Sequence, residues 1–440
     1  MPVKTENSEE MIRKECKYSN LSTRFKPSLE SFTKQYYHIY LTRLIDVKNR
    51  LLERIEKKWG KKYPICELAN AGDQPGLCIV LGTIYKEQKL KPSILKEIAE
   101  ESQLIPQPIR THFTDDSDVL ILENEQQRVQ LHEGLSAHDI VTGVPCAILG
   151  SELSLGQFKV EEYVFVDCSE QIERPIFNDD RFVVFISGID MANQTDSLMA
   201  LQLFIDWVIG LSANKDQLNE VSKICRVIIV GNSIRASADN KVKKSLLGKG
   251  NETDETINAV KLFDQMLSEL VQCVPVDIMP GEFDPTNYML PQQPMHYCMY
   301  PQSSKFTTIQ GVTNPYEFEL DGFKFLGTSG QPIQSILSYS NIEDPLEALQ
   351  RCVQWGHLCP TAPDTLSCYP YYSKDPFIIK DCPHTVFAGN QAKYQNKIYK
   401  GPENQEVQLI CVPEFAKTQT VAVLNLKTFT TYPVSFQVGL

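Results

Sequence analysis

Glycines and polar residues follow the ends of several predicted strands in the second half of the chain. Ligands of open α/β sheets bind beyond the carboxyl ends of the strands, so a catalytic site of this chain is expected there. Other catalytic templates are missing from the sequence, which has no Walker A lysine loop, no HExxH and no G-x-S-x-G elbow. The candidate turns are Ser187-Gly188-Ile189, Gly231-Asn232, Gly281-Glu282-Phe283-Asp284, Gly327-Thr328-Ser329 and Gly389-Asn390-Gln391.

The order and spacing of these turns resemble those of the calcineurin-like metallophosphoesterases. That resemblance implies two divalent ions, which need carboxylates and imidazoles for charge balance and one aspartate that bridges both ions. Residues 180–440 contain only His296, His357 and His384, and we interpret these lone histidines as structural. The sequence therefore predicts that this fold is kept and its chemistry is lost, with no catalytic residue, no metal and no cofactor. Position by position, Ser187 and Ile189 replace the first Asp and His, and Asn232 replaces the bridging Asp. Glu282-Phe283-Asp284 stands where the family has Asn-His-Asp and keeps only the last acid, Asp284, and Asn390 and Ala392 replace the last two histidines.

The cysteines do not form a metal-binding pattern. The 13 cysteines contain no C-x-x-C pair, the arrangement that places two zinc ligands on one tight turn. Cys352, Cys359, Cys368 and Cys382 are widely and irregularly spaced, so we interpret them as core and loop thiols. Reduced thiols are typical of a cytosolic or nuclear protein.

The N-terminal part divides into two segments. Residues 1–26 are polar without periodicity and predict a tail that is disordered or becomes ordered on contact. Residues 27–62 predict a helix that packs on the main domain, beginning near Pro27-Ser28. Its basic face could contact nucleic acid or a membrane, but we favour a solvated face, because Glu53 and Glu56 interrupt it. The apolar stripe comprises Tyr37, Tyr40, Leu41, Leu44, Val47, Leu51 and Ile55, and the basic face Arg43, Lys48, Arg50, Arg54, Lys57 and Lys58.

Residues 63–170 predict an OB-like domain. Five strands, at 77–85, 118–124, 128–134, 140–153 and 158–167, surround a single predicted helix at 93–102. Such a set of strands is typical of a small barrel, although the helix follows the first strand, which puts strict OB topology in doubt. The strand aromatics are few (Tyr85, Tyr163 and Phe165) and acidic residues are abundant, so a protein-binding or structural barrel is favoured over single-strand binding.

Residues 171–440 predict an α/β sandwich. Strands at 182–189, 226–232 and 275–281 alternate with helices at 197–211 and 255–273, which indicates a parallel sheet covered by helices. The segment 237–255 is interpreted as an exposed loop. A hairpin at 318–330, turning at Asp321-Gly322, a helix at 345–357 and closing strands at 384–390, 407–413 and 418–428 complete a second sheet.

The overall charge restricts the partners. The formal net charge of −12 disfavours autonomous tight binding to DNA, which depends on Lys and Arg displacing counterions. The sequence shows no secretory signal and no run of about 18 apolar residues, so no membrane association is expected.

Long blocks of the sequence resemble the B-subunit family of replicative DNA polymerases, and its delta branch in particular. They are VDIMPGEFDPTNYMLPQQPMHYCMYP (276–301), FLGTSGQPI (325–333), WGHLCPTAPDTLSCYPY (355–371) and DCPHTVFAGNQ (381–391). The resemblance covers nearly the whole chain and implies an OB domain joined to an inactivated phosphoesterase domain.

The same resemblance implies a non-enzymatic scaffold in DNA replication and repair synthesis, located in the nucleus. Its implied partners are the cysteine-rich C-terminal domain of the catalytic subunit of polymerase delta, a third subunit, and the catalytic subunit of polymerase zeta. DNA contact is then weak or restricted to the holoenzyme. Aromatic residues in 285–301 and 360–377 suit protein interfaces, or they cover their own core. The alternatives are an active metallophosphoesterase or nuclease, and autonomous binding of single-stranded DNA by the OB domain.

Overall fold

The computed structural model describes residues 13–27, 35–92, 110–154, 156–193, 197–211, 215–235 and 252–436. Within these ranges the chain forms a small β-barrel, an α/β sandwich of two sheets, and an N-terminal segment that contacts both. The predicted helix at 93–102 and most of the predicted loop at 237–255 lie outside the described residues. No helix in the described part of the chain is long and apolar enough to cross a membrane.

Part of the predicted tail is a strand. Strand β1 (Tyr18–Asn20) pairs antiparallel with residues 318–320 of the sandwich. The Tyr18 hydroxyl lies 2.8 Å from that of Tyr316, and the guanidinium of Arg226 stacks 3.8 Å from the centre of the Tyr18 ring. This segment is therefore ordered by a partner strand that lies some 300 residues away in the sequence, which local polarity does not indicate.

Helix α1 (Tyr37–Trp59) corrects two residue assignments made from periodicity. The apolar stripe is right at Val47, Leu51 and Ile55, which pack against the barrel. Tyr37, placed on that stripe, is exposed, whereas Arg43, placed on the solvated face, is completely buried. The burial of Arg43 is possible because a buried carboxylate, Asp375, supplies its counter-charge at 2.7 Å.

The predicted barrel is present and closed. After the short strand β2 (Ile65–Cys66), five strands follow one another around it in the order β3-β4-β5-β7-β6 and back to β3. Closure removes the free edges that an open sheet would expose. Within the ring only β5 and β7 pair in parallel. The ring strands are β3 (Cys78–Glu87), β4 (Val119–Glu123), β5 (Arg128–His132), β6 (Val144–Ser154) and β7 (Gln157–Phe165).

The sandwich consists of two six-stranded sheets, with orders β11-β10-β9-β8-β17-β18 and β1-β12-β13-β14-β16-β15. The first contains the parallel run β8 to β10 predicted from the alternation of strands and helices, and β11 adds a further parallel strand. Strand β17 was predicted for the second sheet, but it pairs with β8 in the first. The strands β11, β15 and β18 were not predicted, and all three lie at sheet edges. The strands are β8 (Phe182–Ile186), β9 (Ile224–Val230), β10 (Val276–Met279), β11 (Ile309–Gly311), β12 (Tyr316–Leu320), β13 (Phe323–Thr328), β14 (Thr385–Gln391), β15 (Gln395–Lys400), β16 (Glu406–Pro413), β17 (Thr420–Asn425) and β18 (Thr430–Ser435).

An aromatic core joins the two sheets. The rings of Phe318 and Phe325 stack with centroids 4.5 Å apart, and Phe185 of the other sheet lies 4.9 Å from Phe387. Each buried side chain of this size contributes about 1.5–3 kcal/mol by leaving water. This core fixes the two sheets against each other and so fixes the relative positions of their carboxyl ends.

Helices cover the outer faces of both sheets. The helices on the side of the first sheet are α2 (Ser197–Ile209), α3 (Lys215–Val221) and α4 (Glu252–Val271). Helices α2 and α4 pack against that sheet in one apolar cluster. Helices α5 (Gln331–Tyr339) and α6 (Pro345–Gln354) lie between the second sheet and the barrel in one continuous apolar cluster. The short helix α7 (Phe415–Thr418) follows β16. Helix α6 begins where its sequence predicts, with Asp344 capping the amide of Leu346 and Pro345 in the first turn.

Candidate functional site

The strand-end turns converge at one edge of the sandwich. The amide of Gly188 donates to the carbonyl of Gly231 at 3.0 Å, which joins the ends of β8 and β9. The side-chain amide of Asn390, near the end of β14, donates to the carbonyl oxygens of Val230 and Ser329 at 3.2 and 2.7 Å. The strand-end turns of both sheets thus meet at one edge of the sandwich, which we call the cleft.

The first two positions of the cleft carry no metal ligand. Ser187 is completely buried, and its hydroxyl contacts the carbonyl oxygens of Val412 and Pro413 and accepts from the amide of Asn390 at 2.9 Å. Ile189 is buried in the apolar cluster beneath helices α2 and α4. Both side chains are therefore used in internal contacts of the fold and do not face a ligand.

Two asparagines of the cleft have left-handed backbones. Asn232 has φ 54° and Asn390 has φ 56°, a region that few residues other than glycine, asparagine and aspartate adopt without strain. Gly231, directly before Asn232, has φ 78°, and a Cβ there would lie 2.5 Å from that of Ser329. Such tight turns place amide side chains at the strand ends, where Asn232 accepts from the amide of Phe283 at 3.3 Å.

Asp284, the one carboxylate of the expected metal set, is used by the backbone. It is buried and accepts from the amides of Gly281 and Ile234 at 2.8 Å and of Ser233 at 3.2 Å. Burial raises the pKa of Asp284, and these amide donors oppose that rise. The Asp284 carboxylate thus links the turn after β10 to the turn after β9.

Glu282 points elsewhere. It is partly buried and lines a cavity of about 160 Å³ together with Tyr288 and Gln331. Burial raises the pKa of Glu282. Phe283 between the two acids is also partly buried and brings no polar side chain to the cleft.

Neutral amides and hydroxyls fill the centre of the cleft. The side-chain amide of Asn314 lies 2.7 Å from the Ser329 hydroxyl, 2.8 Å from Gln292 Oε1 and 3.0 Å from Gln331 Oε1. Sequence reasoning missed Gln292, Asn314 and Gln331, because single amides at wide spacing form no recognisable motif. In the described residues, no three His, Cys, Asp or Glu side chains are placed to hold a metal ion. Neutral amides offer two divalent cations none of the negative charge that a dinuclear site needs.

His357, one of two buried histidines in the sandwich, belongs to a structural network outside the cleft. His357 Nδ1 accepts from the amide of Cys359 at 3.2 Å, so the proton is assigned to Nε2, which donates to Asp375 at 2.8 Å. Burial, and secondly the neighbouring Arg43, lower the pKa of His357 to about 4. His357 is therefore neutral at pH 7, and the charge on Asp375 is balanced by Arg43.

The remaining candidate residues do not join the cleft. His384 Nδ1 accepts from the amide of Lys324, and His296 is exposed. Cys352 and Cys368 are buried, and burial raises the pKa of each to about 12, so both stay as thiols rather than the thiolates that bind metals. Cys359 and Cys382 are buried as well.

The two aromatic loops are divided between core and surface. Tyr288 is 66% exposed and Tyr297 68% exposed, which leaves both rings available to a partner. Tyr300, Tyr371 and Phe377 are buried and cover their own core. The core interpretation is therefore confirmed for these three residues, and the interface interpretation stays a prediction for Tyr288 and Tyr297.

Comparison with known proteins gives two matching family models. Residues 183–397 match the model of the DNA polymerase alpha/epsilon B subunit, and residues 35–163 match the DNA polymerase delta subunit OB-fold domain. The chain is 42% identical to DNA polymerase delta subunit 2 of Drosophila melanogaster, over 97% of this chain and 99% of that protein. It is 30% identical to the DNA polymerase delta small subunit of Saccharomyces cerevisiae, over 90% and 88% of the two chains. Over 52% of its length it is 24% identical to the DNA polymerase II small subunit of Pyrococcus horikoshii, covering 36% of that protein.

Proposed function

Because this chain belongs to the small-subunit family of DNA polymerase delta, we propose that it is a rigid scaffold that joins the catalytic subunit to a third subunit. It is an accessory B subunit of a replicative polymerase and is not itself the catalytic subunit. The observation that carries the scaffold proposal is the cleft, whose polar groups are neutral or already bound to the backbone. With such a cleft, the sandwich acts through its surfaces, which bind other subunits, and not through catalysis.

The sandwich is proposed to be an inactivated phosphoesterase of the calcineurin-like type. Two mixed sheets, each with a parallel run that carries glycine turns near its carboxyl ends, support this origin, as do the left-handed Asn232 and Asn390 at the edge where metals would bind. The vestigial positions are Ser187, Ile189, Asn232, Glu282, Phe283, Asp284 and Asn390.

Rigidity between barrel and sandwich supports the scaffold role. Arg43 of α1 donates to the carbonyl oxygens of Gly143 in the barrel at 2.8 Å and of Pro360 in the sandwich at 2.9 Å. Arg50, two turns later, donates to Ile379 at 2.6 Å. Helix α1 thus binds both domains, so a partner that docks on one domain is held in a fixed geometry relative to the other.

The partners follow from the family. They are the cysteine-rich C-terminal domain of the catalytic subunit of polymerase delta, the third subunit and, by the same surfaces, the catalytic subunit of polymerase zeta. A chain of net charge −12 complements basic partner domains and would accelerate their association. Nuclear residence is part of the same proposal, because replication takes place there.

Direct binding of single-stranded DNA is not favoured by the barrel surface. Tyr163 and Phe165 pack against the shared core, with Phe165 6.5 Å from Trp355. Tyr85 is covered by the guanidinium of Arg128, which also pairs with Glu123 at 2.9 Å. Stacking platforms for bases require free aromatic faces in a basic groove.

Co-purification with the isolated cysteine-rich domain of the catalytic subunit tests the proposal, with manganese and zinc measured in the same material. A stable one-to-one complex, with no metal attributable to this chain, is expected. Two equivalents of metal in the free protein together with no complex would support an active phosphoesterase instead. Salt-sensitive, micromolar or tighter binding of single-stranded DNA by the free chain would support the OB-domain alternative.

A further inference from the structure

The carboxylate of Glu282 lines a cavity beside the cleft. In the described part of the chain, Glu282 makes no ion pair and no hydrogen bond, and burial is the cause that shifts its pKa. The cavity, of about 160 Å³, lies between the 282–290 loop, one side of helix α5 and the 365–367 loop. It is large enough for about five waters at about 30 Å³ each, and therefore for the end of a side chain.

The walls of this cavity combine one anion, two tyrosine rings, two leucines and neutral polar groups. Tyr288 is 66% exposed. Partial burial and, as the smaller cause, the nearby Glu282 carboxylate raise the pKa of its phenol. Gln334 and Ser338 lie on one side of α5 and offer amide and hydroxyl groups, whereas the amide of Gln331 on the same side is already bonded within the cleft. We call this cavity, defined by Glu282, Tyr288, Gln331, Gln334, Ser338 and Ser367, the Glu282 pocket.

We propose that the Glu282 pocket receives an arginine side chain of a protein subunit of the assembled polymerase. A guanidinium can bind a carboxylate through two parallel hydrogen bonds while its face stacks on a tyrosine ring. Its remaining N–H groups match the amide and hydroxyl oxygens of the walls. The inference rests on the proposed scaffold function, since it assumes that a partner subunit covers this face.

Arginine fits the pocket better than a lysine or a metal ion. An ammonium is a compact, strongly hydrated charge that gains nothing from a planar wall. A divalent ion needs several anionic ligands, whereas Glu282 is the one carboxylate among the described residues of the pocket. The partner is a protein, because nucleic acid would bring phosphates toward an acidic group.

The proposal makes opposite predictions for the free chain and for the complex. A partly buried carboxylate without a partner destabilises the folded chain, so Glu282→Gln should leave the stability of the free protein unchanged or raise it. The same substitution removes the charge that holds the arginine, and affinity for the partner should fall at least tenfold. A purely structural glutamate would lower stability when replaced.

The test uses the full chain with the purified catalytic subunit and third subunit of polymerase delta, each titrated separately at physiological salt. The matched control is Glu343→Gln, which removes an exposed carboxylate from the loop before α6. We expect Glu282→Gln to weaken one of the two complexes at least tenfold and Glu343→Gln to change neither by more than twofold. Tyr288→Ala should weaken the same complex.

Arg→Lys substitutions in the weakened partner then identify the occupant. One of them should match the loss caused by Glu282→Gln and add nothing to it when combined. Equal affinities of wild type and Glu282→Gln for both subunits would overturn the inference and leave the scaffold function standing. Lower stability of free Glu282→Gln, or coupling to a lysine only, would also overturn it. Failure of the wild-type chain to bind either subunit would refute the scaffold function itself.

Discussion

Arg43→Met is expected to lower the free energy of unfolding by about 3–5 kcal/mol, because it breaks a buried ion pair. The guanidinium is completely buried, and its Nε donates to Asp375 at 2.7 Å. Its other nitrogens donate to the carbonyl oxygens of Gly143, Pro360 and Ala362 at 2.8, 2.9 and 2.8 Å. Methionine fills most of the space but leaves Asp375 charged and unbalanced.

The size of this effect follows from the groups that lose their partner. The unbalanced Asp375 accounts for most of the loss, since water cannot replace Arg43 at a site without solvent access. Each carbonyl left without a donor adds up to about 1–3 kcal/mol, less where water enters. Domains of this kind are stable by about 5–15 kcal/mol, so the substitution removes a large share of the total.

Urea unfolding of the full chain, followed by circular dichroism and by tryptophan fluorescence, measures the loss. Lys48→Met is the matched control, because Lys48 is exposed on the same helix, and it should change the free energy of unfolding by less than about 0.5 kcal/mol. Asp375→Asn combined with Arg43→Met should cost less than the sum of the single changes, by about 1–3 kcal/mol. Additive costs, or a midpoint for Arg43→Met equal to that of Lys48→Met, would refute the buried-pair reasoning.

Three further outcomes are expected from the same structure. Stability should fall as the pH is lowered from about 6.5 to about 4, because the unfolded His357 takes up a proton in this window while the folded one stays neutral. His357→Gln should flatten that part of the pH profile of the urea midpoint, and His296→Gln, an exposed control, should not. Tyr18→Ala should lower the free energy of unfolding by about 1–3 kcal/mol, because the ring loses its stacking with Arg226 and the hydroxyl loses its contact with Tyr316. A change below about 0.5 kcal/mol in urea unfolding would argue against a stabilising role of β1. Asp284→Ala should lower the free energy of unfolding by about 2–3 kcal/mol in the same assay. The structural role of Asp284 would be contradicted if the wild type hydrolysed a phosphodiester in the presence of manganese and this variant did not.

Periodicity was enough to predict most of the strands and helices, but it failed where the decisive contact is distant. The alternation of buried strands and amphipathic helices in residues 182–281 predicts the parallel run because each element buries its own apolar face. Arg43 was misplaced because a helical stripe is read from hydrophobicity alone. The carboxylate that permits its burial is 332 residues further along the chain.

The edge strands were missed for a related reason. Strand β15 contains Lys397 and Lys400 and strand β18 contains Pro433, residues that block pairing with another chain and also weaken the local strand signal. Closure of the barrel was likewise predicted only in outline. The pairing of β3 with β6 joins residues about 70 positions apart, and no local pattern specifies it.

The cleft shows how a candidate residue can be right in position and wrong in role. Sequence comparison with two-metal enzymes leaves Asp284 as the one matching carboxylate, which suggests that it is a former metal ligand. Three backbone amides donate to it, so this turn needs an acceptor whether or not a metal is present. Two residues earlier, Glu282 is accessible from the cavity and has no partner among the described residues. Of the two acids in this turn, the one that matches the enzyme pattern serves the fold, and the one that departs from it is free to bind another subunit.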